Sequence, residues 1–268
     1  MIIDAHVHCG DSFWGNFTPE ILLDIIGDNV GVCSNLAGID SFKQKDEVLA
    51  NREMLEISKK HPQLKPLFVC QPFRTENADV LRKMLKEYPQ FVGLKFHPEF
   101  TKLVATSDKY DDYLSVADEY KSPCLYHSGH IKSRFSSPEL IYKKAKQFPN
   151  VPVILGHLST GPKHSHEAAI EIMLESIEAE TATLYTDVSW INIEDILLLI
   201  HKLKTTRKGD FTHRIMWATD APVGEHNLKK ELYLEGLNAF KSAIMQEFND
   251  EKLLEDLLCN NAKALFKL

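Results

Sequence analysis

Cysteine is scarce and offers no framework. The five residues, Cys9, Cys33, Cys70, Cys124 and Cys259, in a chain of 268 form no Cys-x-x-Cys pair, and an odd count argues against a disulfide scaffold. Cys33, Cys70 and Cys124 fall in strand-like runs and read as small core residues, which suits a reduced, cytoplasmic setting. Long hydrophobic runs are missing too. The most apolar later stretch, 196–200, is far too short to span a bilayer. Met1 leads straight into Ile2-Ile3, where a signal peptide would carry a basic segment and a longer apolar run. There is no excess of cations: Lys plus Arg total 31 against 38 Asp plus Glu, a net charge of −7, which argues against nucleic-acid partners and gives no sign of a membrane partner. The basic clusters at 143–146 and 202–208 read as solvated helix faces. No phosphate-cradling glycine loop is present, since His157-Leu158-Ser159-Thr160-Gly161 reads as a turn. Finally, no linker, low-complexity tract or break in composition divides the chain, so 1–268 is read as one domain.

What is there is a strand followed by a helix, repeated. Strand-like segments fall at 2–8, 30–36, 64–70, 91–97, 122–127, 151–157, 184–188 and 214–219, with C-terminal ends about 30 residues apart, the length of one βα unit. Thr18-Pro19-Glu20 and Ser137-Pro138-Glu139 each place a capping hydroxyl before a helix-first proline. Tyr88-Pro89 and Phe148-Pro149 act as stop signals. Eight alternating units imply an α/β fold, the (β/α)8 TIM barrel, for which about 250 residues suffice. The helical tail after Asp220 exceeds one unit and is expected to pack as an extra.

Histidines then sort by position. In such barrels function gathers at the C-terminal ends of strands. His6, His8, His97, His127 and His157 lie at or near those ends, with His130 just beyond one. His61, His201 and His213 do not, and read as structural or surface residues. His6 and His8 sit at i and i+2 of a strand and share a face, whereas Cys9 turns away. A His-x-His pair alone is weak, because 12 histidines in 268 residues give roughly 0.5 such pairs by chance. The second pair, His164 and His166, opens a helix where i and i+2 diverge, and reads as solvent-exposed. Imidazoles meeting a carboxylate from other strands make a divalent-metal site of the kind zinc favours.

Asp4-Ala5-His6-Val7-His8 on the first strand, His127 after the fifth, His157 after the sixth and Asp220 after the eighth resemble the amidohydrolase superfamily. The segments Gly93-Leu94-Lys95-Phe96-His97-Pro98, Leu155-Gly156-His157 and Trp217-Ala218-Thr219-Asp220-Ala221-Pro222, with the closing Asn261 to Phe266, are similar to its amidohydrolase-related branch. That branch includes aminocarboxymuconate-semialdehyde decarboxylase. The resemblance implies that His6, His8, His127 and Asp220 hold one zinc ion. Another divalent metal, or a second ion, is left open. It implies that His157 stands beside the metal-activated water to polarise substrate or move a proton, and that Asp220 both binds metal and accepts a proton. A homodimer is the expectation by analogy.

Lys95 stays open between three roles: a carboxylated bridge between two metals, a substrate or site contact, and a structural ion pair. A buried lysine needs one of them, because an unpaired charge is costly. His97 shares its face and is read as substrate-facing or as a polar strand end, and His130 as a further substrate contact. Phe13 and Trp14 form a lid or apolar wall, or a plug under their loop. Arg74 and Arg134 clamp a substrate carboxylate or make surface salt bridges. Trp190, after the seventh strand, is either a substrate contact or plain packing. The expected activity is hydrolysis of a C–O or C–N bond in a small, anionic metabolite by metal-activated water. The rivals are non-oxidative decarboxylation of an aromatic or enoic acid, phosphodiester cleavage, against which the net acidity and Lys95 count, and a barrel that binds without catalysis.

Overall fold

A computed structural model describes residues 1–13, 15–39, 46–73, 78–223 and 229–268; Trp14 and Arg74 lie outside them. The strands are β1 (Ile3–Ser12), β2 (Gly15–Phe17), β3 (Val30–Asn35), β4 (Leu64–Val69), β5 (Gly93–Phe96), β6 (Cys124–His127), β7 (Pro152–Gly156), β8 (Thr183–Asp187) and β9 (Ile215–Met216). All eight expected strands are present. The addition is β2, which folds back antiparallel on the end of β1 through Gly10↔Phe17 and Ser12↔Gly15. Every other neighbour pairs in parallel, in the order β1-β3-β4-β5-β6-β7-β8-β9. The last strand closes onto the first. Ala5 N–H donates to Trp217 O at 3.0 Å, Asp220 N–H to His6 O at 2.8 Å and His8 N–H to Ala221 O at 2.7 Å. The fold is a (β/α)8 TIM barrel.

The helices are α1 (Pro19–Ile26), α2 (Leu36–Ile39), α3 (Glu47–Lys60), α4 (Asp79–Glu87), α5 (Pro98–Thr101) and α6 (Asp111–Tyr120), followed by α7 (Pro138–Ala145), α8 (Lys163–Glu178), α9 (Ile193–Lys204), α10 (Lys230–Phe248), α11 (Glu251–Glu255) and α12 (Asn261–Phe266). The two capping motifs work as their chemistry requires. Thr18 Oγ1 accepts from Ile21 N–H at 3.4 Å and Ser137 Oγ from Leu140 N–H at 3.3 Å, which satisfies otherwise orphaned donors. The tail is more than an addition. Cys259, Ala262 and Phe266 are buried with Ile3, Ala5, Val32, Leu67, Leu125 and Ile154, so the chain's end fills the base of the barrel interior.

One irregularity sets the active face. In the β1–β3 ladder, Asp4 pairs with Gly31 but Val7 with Cys33, so Ala5 and His6 together oppose Val32. This is a β-bulge, which shifts the inward–outward alternation by one residue. Below it Ile3 and Ala5 face the interior cluster. Above it Val7 and Cys9 pack outward with the helices, and His6 and His8 turn into the barrel.

Two surface readings are corrected. His166 is buried and its Nδ1 lies 2.7 Å from Asp195 Oδ2, because α8 turns that side toward α9. Lys144, within the basic cluster, is 1% exposed with Nζ 2.5 Å from Asp111 Oδ1 and 2.9 Å from Gln147 Oε1; its stem packs inward, and the carboxylate with the amide oxygen makes that burial tolerable.

Candidate active site

The strand ends converge on a cavity of about 500 Å³ lined by His8, Lys95, His97, His127, His157 and Asp220 on its polar side. Leu36, Ile39, Phe100, Val223 and Trp190 supply its apolar walls. Asp220 is the meeting point. Its Oδ1 lies 2.9 Å from His8 Nε2 and 3.3 Å from His6 Nε2, and its Oδ2 accepts from Trp190 Nε1–H at 2.9 Å. Burial alone would raise the Asp220 pKa, but the surrounding His157, His6 and His8 hold it well below the ordinary carboxylate range. Ligand atoms of His6, His157 and Asp220 all lie within 4.8 Å of one another.

Local backbone geometry aims these groups. His157, Trp190 and Asp220 adopt φ of 65°, 63° and 64°, a left-handed conformation that costs an ordinary residue about 1 kcal/mol or more. Each stands just beyond a strand, where the turn swings its side chain across the barrel mouth. Gly156 must be glycine. A Cβ there would meet Tyr126 O at 2.8 Å and His6 Cε1 at 3.3 Å, so the neighbouring strand's backbone excludes a side chain and the first site histidine packs close against the same spot.

Around the imidazoles lies a layer of partners that sequence reasoning missed. Asp187, fully buried on β8, places Oδ2 3.0 Å from His6 Nδ1 and Oδ1 3.0 Å from His157 N–H. Ser189 Oγ is 2.8 Å from His157 Nδ1 and also bonds Asp187 Oδ1. Ser34 Oγ is 2.8 Å from His8 Nδ1. Asp4, of which only the sequence position was noted, accepts from Thr219 Oγ1 at 2.6 Å and Thr219 N–H at 3.1 Å, fastening β1 to the segment that carries Asp220; burial raises its pKa to about 7. Asp187 stood in an ordinary Tyr-Thr-Asp-Val strand, and only its place at a strand's C-terminal end could have marked it.

The remaining candidates divide. Lys95 is 1% exposed with Nζ 2.7 Å from His6 Nε2, so its partner is an imidazole rather than a carboxylate; burial lowers its pKa to about 8. His97 and His127 stack at 4.1 Å with 10° between their planes, and His127 meets His157 edge-on at 5.1 Å. Burial holds both pKa values well below 6.5, and it lowers that of His157 to about 4. His130 and Arg134, expected at the substrate, are not among the lining residues. His130 Nδ1 accepts from Lys132 N–H at 2.9 Å, and the exposed Arg134 guanidinium covers the Phe135 ring at 4.7 Å. Both are held by their own loop, whose turn keeps them off the cavity. Phe13 is 57% exposed, too open to be a plug buried under its loop.

The amidohydrolase family model matches residues 32–268. The chain belongs to the amidohydrolase family. The matched span leaves out β1 with His6 and His8, which join the site through geometry. No curated protein sequence matches. Among solved structures, a putative 2-pyrone-4,6-dicarboxylic acid hydrolase from Pseudomonas putida is similar at TM-score 0.69 and 17% identity, over 99% of this chain and 97% of that one. The 5-carboxyvanillate decarboxylase of Sphingomonas paucimobilis gives 0.69 and 11%, over 100% and 99%. An amidohydrolase from Burkholderia multivorans with bound zinc gives 0.69 and 10%, over 100% and 99%. At these identities they speak for the fold. No helix among the described residues is long and apolar enough to cross a membrane.

Proposed function

We propose that this amidohydrolase is a metal-dependent hydrolase acting on a C–O or C–N bond of a small metabolite, with zinc as its cation. The observation that carries the reading is the meeting of His6 Nε2 and His8 Nε2 at one oxygen of Asp220. Two imidazoles and a carboxylate aimed at one point are the donor set that zinc takes. His127 completes it in this reading. Its ring nitrogens have no hydrogen-bond partner among the described residues, although it lines the cavity, so a cation would satisfy it. A divalent cation held there would polarise a carbonyl and make water a nucleophile near neutral pH.

The chain's own residues do the rest. His157, neutral above about pH 4 because of its burial, takes a proton at Nε2 and returns it to the leaving group. Asp220 accepts a proton on the oxygen that faces the cavity, while Trp190 holds the other. Lys95 orients the substrate carbonyl or carboxylate, and the Leu36, Ile39, Phe100 and Trp190 walls take an apolar, flat body. The Burkholderia protein with bound zinc supports the choice of cation. The hydrolase description of the Pseudomonas protein supports the choice of reaction.

Decarboxylation is the second reading, favoured by the same fold in the carboxyvanillate enzyme and by Lys95 facing a largely apolar cavity. The test is to incubate the zinc-loaded protein with cyclic esters and amides in parallel with aromatic and enoic carboxylic acids. Acid release from the first group without CO2 is expected. CO2 release from the second, with the first untouched, overturns the hydrolase in favour of its rival.

A further inference from the structure

The site contains more hydrogen-bond partners than protons, and counting them fixes the chemistry of two rings. Asp187 is surrounded by donors. His157 N–H reaches its Oδ1 at 3.0 Å and Ser189 N–H the same oxygen at 3.1 Å, while Ser189 Oγ–H donates there as well. A buried side chain collecting that many donors is a carboxylate and can only accept. His6 Nδ1, 3.0 Å from Oδ2, must then carry its hydrogen, leaving Nε2 bare toward Asp220 and Lys95. Ser189 has one hydroxyl hydrogen and gives it to Asp187. It can therefore only accept from His157 Nδ1 at 2.8 Å, so His157 too is protonated at Nδ1 and bare at Nε2.

His8 differs. Its Nδ1 partner is Ser34 Oγ at 2.8 Å, a hydroxyl that can rotate to donate or accept, so nothing on the Nδ1 side fixes the ring; its Nε2 faces Asp220 Oδ1 at 2.9 Å, which takes the hydrogen there in the metal-free chain.

We infer that Asp187 is a shared positioning residue, setting the tautomer of His6 directly and of His157 through Ser189. One carboxylate thereby keeps a lone pair of two imidazoles, from two different strands, turned toward the cavity. This builds on the proposed metal-dependent site, yet the proton positions can be read without any metal. Second partners of this kind typically change metal affinity by about 10–100-fold when removed.

The two variants separate the arms of the device. In Asp187→Asn, the two backbone N–H groups keep the carbonyl oxygen on their side, so the amide NH2 faces His6 Nδ1. His6 must then accept there and move its hydrogen to Nε2, while Ser189 and His157 stay as they are. In Ser189→Ala, His157 loses its acceptor and populates both tautomers, while His6 keeps its hydrogen on Nδ1. Long-range 1H–15N spectra of the full-length, metal-free chain labelled at histidine read both rings, with signals assigned from His6→Gln and His157→Gln. Zinc titration against a chelating dye should show Asp187→Asn weaker than the parent chain by about 10-fold or more. The inference is overturned if His6 keeps its Nδ1 hydrogen in Asp187→Asn, or if zinc binds that variant as tightly as the parent. Should Asp187→Asn fail to fold, an unchanged single tautomer of His157 in Ser189→Ala overturns it equally. Failure of the parent chain to bind zinc or manganese would instead sink the metal-dependent reading and leave the tautomer result standing.

Discussion

Replacing Glu47 with glutamine should abolish a defined part of the protein's pH-dependent stability. Glu47 opens α3 at 4% exposure, and its Oε2 accepts from Gln71 N–H at 2.5 Å and from the Tyr113 hydroxyl at 2.9 Å. Gln71 in turn donates its side-chain amide to Gly38 O at 2.8 Å. Gly38 lies in α2, which carries the cavity-lining Leu36 and Ile39, so this clamp supports one wall of the site. Burial pushes the Glu47 pKa from 4.5 up to about 7, against the opposing pull of its two hydrogen bonds. Below about pH 4.5 both folded and unfolded chains hold the proton. Between 4.5 and 7 the folded chain keeps it and the unfolded chain releases it, so stability falls as pH rises. Above 7 the folded chain carries a buried anion and the full loss is in place. Each tenfold in proton affinity is worth about 1.4 kcal/mol, which caps the loss at about 3 kcal/mol.

Glutamine keeps the acceptor for Gln71 and removes the proton. Denaturant unfolding of both chains at fixed pH values from 4.5 to 8 should therefore give a difference, variant minus parent, that rises by about 3 kcal/mol across the range. Other groups titrate in the same window. Asp4, raised to about 7, also loses stability as pH rises, whereas the buried histidines, whose pKa values are lowered (His157 to about 4), gain it. All act equally in the two chains and cancel. Stability curves that run parallel from pH 4.5 to 8 would refute the argument that Glu47 is protonated in the folded state.

Three further outcomes are expected. His8→Ala should lower bound metal measured by elemental analysis, because the cation loses one of few ligands, while His157→Ala should keep its metal and reduce turnover by about 10²-fold or more; metal loss as complete in His157→Ala as in His8→Ala would make His157 a ligand. His166→Ala strips a donor from Asp195, a buried carboxylate with one oxygen already without a partner among the described residues, and should cost about 3 kcal/mol, read as a fall of several degrees in Tm by calorimetry. Phe266→Ala opens a void at the barrel base and should cost about 3–5 kcal/mol in denaturant unfolding, with zinc affinity intact since the site lies at the opposite end.

The barrel was legible because its signals are local. Eight apolar runs at even spacing, capped helices and histidines at strand ends each report on a few neighbouring residues, and β3 through β9 lie where those runs are. What stayed hidden depends on contacts between distant segments. The basic run at 143–146 gave no hint that Lys144 would reach Asp111. His166 looked exposed because its partner, Asp195, lies a helix away. The end of the chain read as surplus because nothing local shows that Phe266 fills the barrel's base. His130 and Arg134 were placed by their nearness in sequence to His127, but a loop that satisfies its own hydrogen bonds does not present its side chains to a neighbour. Asp187 escaped for the reverse reason: its importance lies in the groups brought to it.

The bulge in β1 shows why the His-x-His pair was readable although the strand bearing it is irregular. A continuous alternation from Ile3 would place Ile3, Ala5, Val7 and Cys9 on the interior face and turn both histidines out toward the helices. The extra residue opposite Val32 reverses this, leaving Ile3 and Ala5 in the base while His6 and His8 enter the mouth. Bulges tighten local twist and re-aim the side chains that follow. Here the re-aiming coincides with the closure of the barrel, since Ala5, His6 and His8 are the residues whose backbones bond to Trp217, Asp220 and Ala221. The same few peptide groups thus seal the sheet and set the height at which Asp220 meets the two imidazoles. Pairing between the first and last strands is therefore a condition for the site as well as for the fold, and a slip of one residue in β1 would send both histidines back into the helical layer.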